Sequence, residues 1–154
     1  MTRASSVVGR LAYCKCLLWQ LLEILTRACL MNSQSSNRVL VLCSDLFFAC
    51  NVTDAVSAAN AKFQTALTSK TFYEELSTGK FDLAIVDLET SDLDIDETSR
   101  VAAEQNTSLV AFGPHVRVSW LKEARDAGFH AVLTRGQIGT QLTSVVSELL
   151  AGKS

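Results

Sequence analysis

The chain has 154 residues, 48% apolar and 19% charged, with a formal net charge of −2; that supplies one core of ordinary domain size and excludes general disorder. Residues 1–31 carry Arg3, Arg10, Lys15 and Arg27 against Glu23, net +3, which leaves −5 on the remainder. An acidic remainder argues against nucleic acid as a direct partner, since a phosphate-backbone footprint needs clustered Lys and Arg.

Over 9–30, Cys14, Leu18, Leu21, Leu25 and Ala28 recur at helical spacing with Gln20, Glu23 and Arg27 opposite. An amphipathic helix is therefore expected within an N-terminal extension of residues 1–36. Lys15, Gln20 and Glu23 interrupt the apolar centre that a signal peptide or a membrane span requires. The helix would lie against a partner or, less favoured, a membrane surface. The bland alternative is a start at Met31, because Met31-Asn32-Ser33-Gln34-Ser35-Ser36-Asn37 reads as a polar leader to the first strand. The five cysteines, Cys14, Cys16, Cys29, Cys43 and Cys50, contain no CxxC pair and are odd in number, the pattern of reduced thiols in a cytoplasmic chain. Cys14-x-Cys16 lacks the second Cys or His pair that a four-ligand metal site needs.

From Arg38 the pattern alternates between strand and helix. Val39-Leu40-Val41-Leu42 is a buried strand, followed by a helix to Ala61 with Phe48, Val52, Val56 and Ala59 on its apolar side. Phe63 to Thr68 predicts a second strand and Thr71 to Leu76 a short helix closed by Gly79. Phe81 to Glu89 is a near-continuous apolar run ending on Asp87, the signature of a parallel strand covered on both faces. A helix over 96–105, a strand at Leu109 to Phe112 ended by Gly113-Pro114, and a helix from Val118 to Ala127 stopped by Gly128 follow. Ala131 to Thr134 makes a fifth strand, and Ile138 to Leu150 a closing helix with Leu142, Val145, Val146 and Leu149 on one face.

Such alternation implies an α/β fold: a flavodoxin-like three-layer sandwich over 37–154, with a five-stranded parallel sheet of order 2-1-3-4-5 and helices on both faces. The crevice beyond the carboxyl strand ends would then gather Cys43, Ser44, Asp45, Asp87, Gly113 and Arg135.

Two segments carry a family resemblance: Phe81-Asp82-Leu83 leading to Asp87, and Asp126-Ala127-Gly128-Phe129-His130-Ala131-Val132-Leu133-Thr134-Arg135. Over 38–152 the chain resembles the receiver domain of bacterial two-component response regulators. The resemblance implies a phosphate-accepting Asp at Asp87, an acidic pair after strand one that holds Mg2+, a Thr or Ser ending strand four and a Lys ending strand five. Cys43 and Ser44 stand at the acidic pair, Gly113 at the hydroxyl and Arg135 at the Lys, while Gly136 and Val132 replace a usual proline and aromatic. A thiol and a hydroxyl are poor substitutes for two carboxylates, which leaves Asp45 and Asp87 as weak candidates for a metal. A carboxylate at Asp87 paired with Arg135 would replace the missing metal charge.

The expectation is a receiver-like signalling module that departs from the family's site chemistry, is no enzyme and needs no cofactor. It would act by protein contact through the face of the fourth helix, fifth strand and fifth helix, including Trp120, Leu121, Arg125 and the segment from Ile138, toward a partner or a second copy. No output domain is expected after Ser154. Two alternatives stand: an atypical single-domain regulator that takes phosphate on Asp87 with Mg2+, and a flavodoxin-like small-molecule binder. The second lacks a Gly-rich phosphate loop, because Asp45-Leu46-Phe47-Phe48 occupies that turn. Asp92-x-Asp94-x-Asp96 begins like a calcium loop but places Glu97 where glycine is required and Ala103 where the closing glutamate belongs. It reads instead as acids at a helix N-terminus. His115 and His130 are isolated, and Asn51-Val52-Thr53 and Asn106-Thr107-Ser108 match the glycosylation pattern by accident in a cytoplasmic chain.

Overall fold

A computed structural model describes residues 37–153. The expected amphipathic helix, Cys14, Cys16, Cys29 and Met31 lie outside the described residues. Within them, strands β1 (Arg38–Leu42), β2 (Lys62–Ala66), β3 (Leu83–Asp87), β4 (Ser108–Gly113) and β5 (Ala131–Thr134) alternate with helices α1 (Leu46–Ala58), α2 (Ser69–Thr78), α3 (Ile95–Glu104), α4 (Val118–Asp126) and α5 (Arg135–Ala151). The strands form one parallel sheet in the order β2-β1-β3-β4-β5, the expected flavodoxin-like arrangement. No helix of the described residues is long and apolar enough to cross a membrane.

Continuous apolar strands bury both faces, and their twofold periodicity divides the core in two. Val39, Val41, Leu83, Ile85, Val110 and Phe112 face α1 and α5, where Val52, Val56, Leu142 and Val146 meet them. Leu40, Leu42, Ala84, Val86, Leu109 and Ala111 face the other way onto Phe72 and Leu76 of α2, Val101 of α3, and Leu121 and Ala124 of α4. The alternation also aims the site. Asp87 continues the 83-85 series and Cys43 the 39-41 series, so both point to the α1/α5 side.

Local chemistry explains the element ends. Asp45 caps α1 by accepting from Phe47 N at 2.9 Å, and Asp94 caps α3 by accepting from Glu97 N at 2.9 Å. Asp96 and Glu97 in the first turn of α3 oppose the positive end of its dipole, as the acidic run suggested. Gly128 follows α4 at φ +89°, a left-handed conformation that side chains with a Cβ rarely adopt. His130 is not idle: its backbone N–H donates to Leu109 O at 2.8 Å, and its Nδ1 accepts from Leu109 N at 3.2 Å, tying the approach to β5 onto β4.

Some expectations shift. α5 begins at Arg135, three residues earlier than its apolar periodicity indicates. Gln137 Oε1 reaches back to accept from Thr134 N at 2.8 Å and starts the helix before its first core residue, Ile138. Arg135 is therefore the first residue of a helix rather than the last of a strand. Leu121 and Ile138, expected on a contact surface, are buried at 5% and 3% exposure because each turns toward the sheet. Trp120 is half-buried against the same cluster as Leu121.

The two-sided core makes a direct prediction. Phe72→Ala should cost about 3–5 kcal/mol in urea denaturation, whereas Phe63→Ala on the exposed edge strand should change stability by no more than about 0.5 kcal/mol.

Candidate functional site

The crevice at the carboxyl end of the sheet centres on Asp87, which has 0% exposure. A carboxylate taken fully out of water needs compensation from inside, and three groups supply it. Arg135 Nη2 donates to Oδ2 at 3.1 Å and lies 3.5 Å from Oδ1. Glu89 N donates to Oδ1 at 3.0 Å. The Cys43 thiol lies 3.8 Å from Oδ2. The chain then turns tightly, with Thr90 N donating to the Asp87 carbonyl at 3.1 Å.

Arg135 is itself held on several sides. Its Nη2 also meets Glu89 Oε2 at 2.5 Å, and its guanidinium carbon lies 4.4 Å from the centre of the Phe48 ring. One terminal nitrogen thus bridges two carboxylates while the guanidinium rests on an aromatic face. The remaining Nε is buried without a hydrogen-bond partner. Phe48 touches Phe112 in turn, with ring centres 6.4 Å apart, so the cation's platform is part of the core.

Cys43 is buried and unpaired in any disulfide. Burial pushes its thiol up from 9.0 to about 11; a hydrogen bond from Sγ to the Asp45 carbonyl at 3.2 Å opposes this, and the negative charges of Asp87 and Asp45 add to it. The group is a neutral donor beside a carboxylate. That chemistry opposes the thiolate a redox or metal-binding cysteine requires.

The other site positions disperse. Ser44 is exposed, and Asp45 is exposed with its carboxylate engaged at the start of α1. A Cβ added at Gly113 would meet Leu88 and Leu121 at 3.4–3.6 Å, so this position packs against apolar neighbours. Among the described residues no three His, Cys, Asp or Glu side chains come together to hold a metal ion. The donors beside Asp87 are a guanidinium and a thiol, a set that does not fit the hard, oxygen-seeking Mg2+ of the resemblance. The structure brings Asp87, Cys43 and Arg135 into contact. The sequence places Phe48 only on the apolar side of a helix and gives no sign that it or Glu89 holds Arg135, because contacts spanning more than forty residues leave no local periodicity.

No family model matches the chain, and neither does any curated protein sequence. Solved structures do. The BeF3-activated receiver domain of DrrB, from Thermotoga maritima, matches with a TM-score of 0.65 at 16% identity, over 74% of this chain and 97% of that one. The Francisella response regulator 1452 receiver domain matches with a TM-score of 0.66 at 18% identity, over 77% of this chain and 99% of that one. Full-length FixJ from B. japonicum matches with a TM-score of 0.66 at 18% identity, over 75% of this chain and 58% of that one. The fold is that of response-regulator receiver domains.

Two outcomes follow from the geometry. In a double-mutant cycle, Asp87→Ala and Arg135→Ala should show a coupling on the order of 1–3 kcal/mol, because Arg135→Ala strands the buried Asp87 carboxylate whereas Asp87→Ala leaves Arg135 paired with Glu89. The raised Cys43 pKa means that its contribution to stability is fully present below pH 9.0 and is lost as pH climbs toward about 11. Cys43→Ala should flatten that slope in alkaline urea titrations, and at about pH 8 iodoacetamide should label exposed Cys50 while sparing Cys43.

Proposed function

We propose that the chain is a receiver-like signalling module that works by protein contact and takes no phosphoryl group. The observation that carries this reading is the closed Asp87: a phosphoryl acceptor must present an oxygen to an incoming donor, and this carboxylate has no exposed surface and internal partners on both oxygens. Arg135 supplies, from within the chain, the positive charge that Mg2+ provides in the family resembled. Conformational information then passes through occupancy of a surface rather than through a covalent mark.

The face of α4, β5 and α5 is the proposed contact surface. It offers half-buried Trp120, with Arg117 stacked 4.7 Å from its ring centre, exposed Arg125 and half-buried Val132. A small-molecule role in the same crevice has less support: the N-terminus of α1, where a flavodoxin-like fold would seat a phosphate, is already capped by the Asp45 carboxylate.

Incubation with acetyl phosphate and Mg2+, followed by intact mass measurement, tests the proposal. The expected result is no added phosphoryl mass. A gain that disappears in Asp87→Ala would overturn it in favour of an atypical phosphate-accepting regulator.

A further inference from the structure

A second feature lies beside the Asp87 crevice, between the loop after β3 and helix α4. A groove of about 730 Å³ runs there, with Leu93, Ile95 and Trp120 among its apolar walls. It continues past Asp96 and Glu123 into a hollow of about 400 Å³ that reaches Asp126. Every charged residue lining the larger part is an acid: Glu89, Asp92, Asp94, Asp96 and Glu123. Lys122, in the smaller part, is already paired with Asp126 at 3.0 Å.

Two of the five acids are engaged, Asp94 as the cap of α3 and Glu89 with Arg135. Asp92, Asp96 and Glu123 are exposed and make no ion pair among the described residues. Like charges gathered without partners raise the local potential, and their repulsion is relieved when a cation arrives. Thr90, which borders this groove and the neighbouring hollow, is 7% exposed and its hydroxyl has no hydrogen-bond partner among the described residues. Trp120 carries the Arg117 guanidinium 4.7 Å from its ring centre, so this indole already engages one cation of the chain. The carboxylates form no three-ligand cluster, which favours side-chain cations over a metal ion.

We infer that this groove docks a basic segment of a partner protein. Its Lys or Arg side chains meet Asp92, Asp96 and Glu123, and an apolar side chain lies on Leu93, Ile95 and Trp120. The charge pattern selects the partner and the aromatic wall anchors it. The inference goes beyond the α4-β5-α5 contact face, and it holds whether or not Asp87 accepts phosphate.

Titration calorimetry on the full chain, with an acetylated and amidated peptide of alternating Arg and Leu, tests it against the matching Glu and Leu peptide. Saturable binding is expected for the Arg peptide alone, falling with added salt. The triple variant Asp92→Asn, Asp96→Asn, Glu123→Gln should weaken it by about tenfold. A control that removes the same charge elsewhere, Asp54→Asn, Glu75→Gln, Glu148→Gln, should bind as the unaltered chain does. No binding, or equal weakening in both triple variants, overturns the inference. So does a dimer in sedimentation velocity that dissociates on the groove substitutions, because the occupant is then a second copy.

Discussion

A carboxylate without exposed surface, set at the end of the central strand, imposes conditions on everything near it. Asp87 requires a cation, and the cation must come from a part of the chain that cannot drift away. Arg135 meets this condition because it opens α5, a helix fixed to the sheet by Ile138, Leu142 and Val146. Phe48 completes the arrangement from α1, and its ring rests on Phe112 of β4. The ion pair therefore links β3 to both helices on one side of the sheet. It is a tertiary tie as well as a site.

The same alternation that divides the core assigns the chemistry. Odd-numbered positions of β1 and β3 send Cys43 and Asp87 toward α1 and α5, while the even positions build the apolar layer under α2, α3 and α4. The acidic groove belongs to this second layer, since Leu93, Ile95 and Trp120 pack on its core. Glu89 stands at the border, one residue beyond Leu88, lining the groove while its carboxylate holds Arg135. The crevice and the groove are thus adjacent but face different helices.

Much of this was legible from residue patterns alone. Runs such as Val39 to Leu42 and Leu109 to Phe112 have few alternatives to buried parallel strands, and the length of the connections leaves little freedom in sheet order. Edges and ends were harder. β2 is a sheet edge with Phe63 at 45% exposure, so burial imposes weaker patterning on it. The start of α5 was set by a polar reach from Gln137, a signal present in the sequence but masked by Gly136 beside it. Strand order alone places positions 87 and 135 at the same end of the sheet. The Phe48 platform and the bridging role of Glu89 required coordinates, because nothing local in the chain links positions 48, 89 and 135.

On the proposed reading, a tethered guanidinium stands where the family resembled has a bound ion, and that changes the kind of variable that governs the site. A metal is a separate species whose occupancy follows its concentration, so chelators and competing ions tune it by mass action. A side chain on the first turn of α5 has an effective concentration fixed by the fold and independent of the surrounding medium. The Asp87–Arg135 pair is set by the fold itself, and it persists for as long as the helix stays docked.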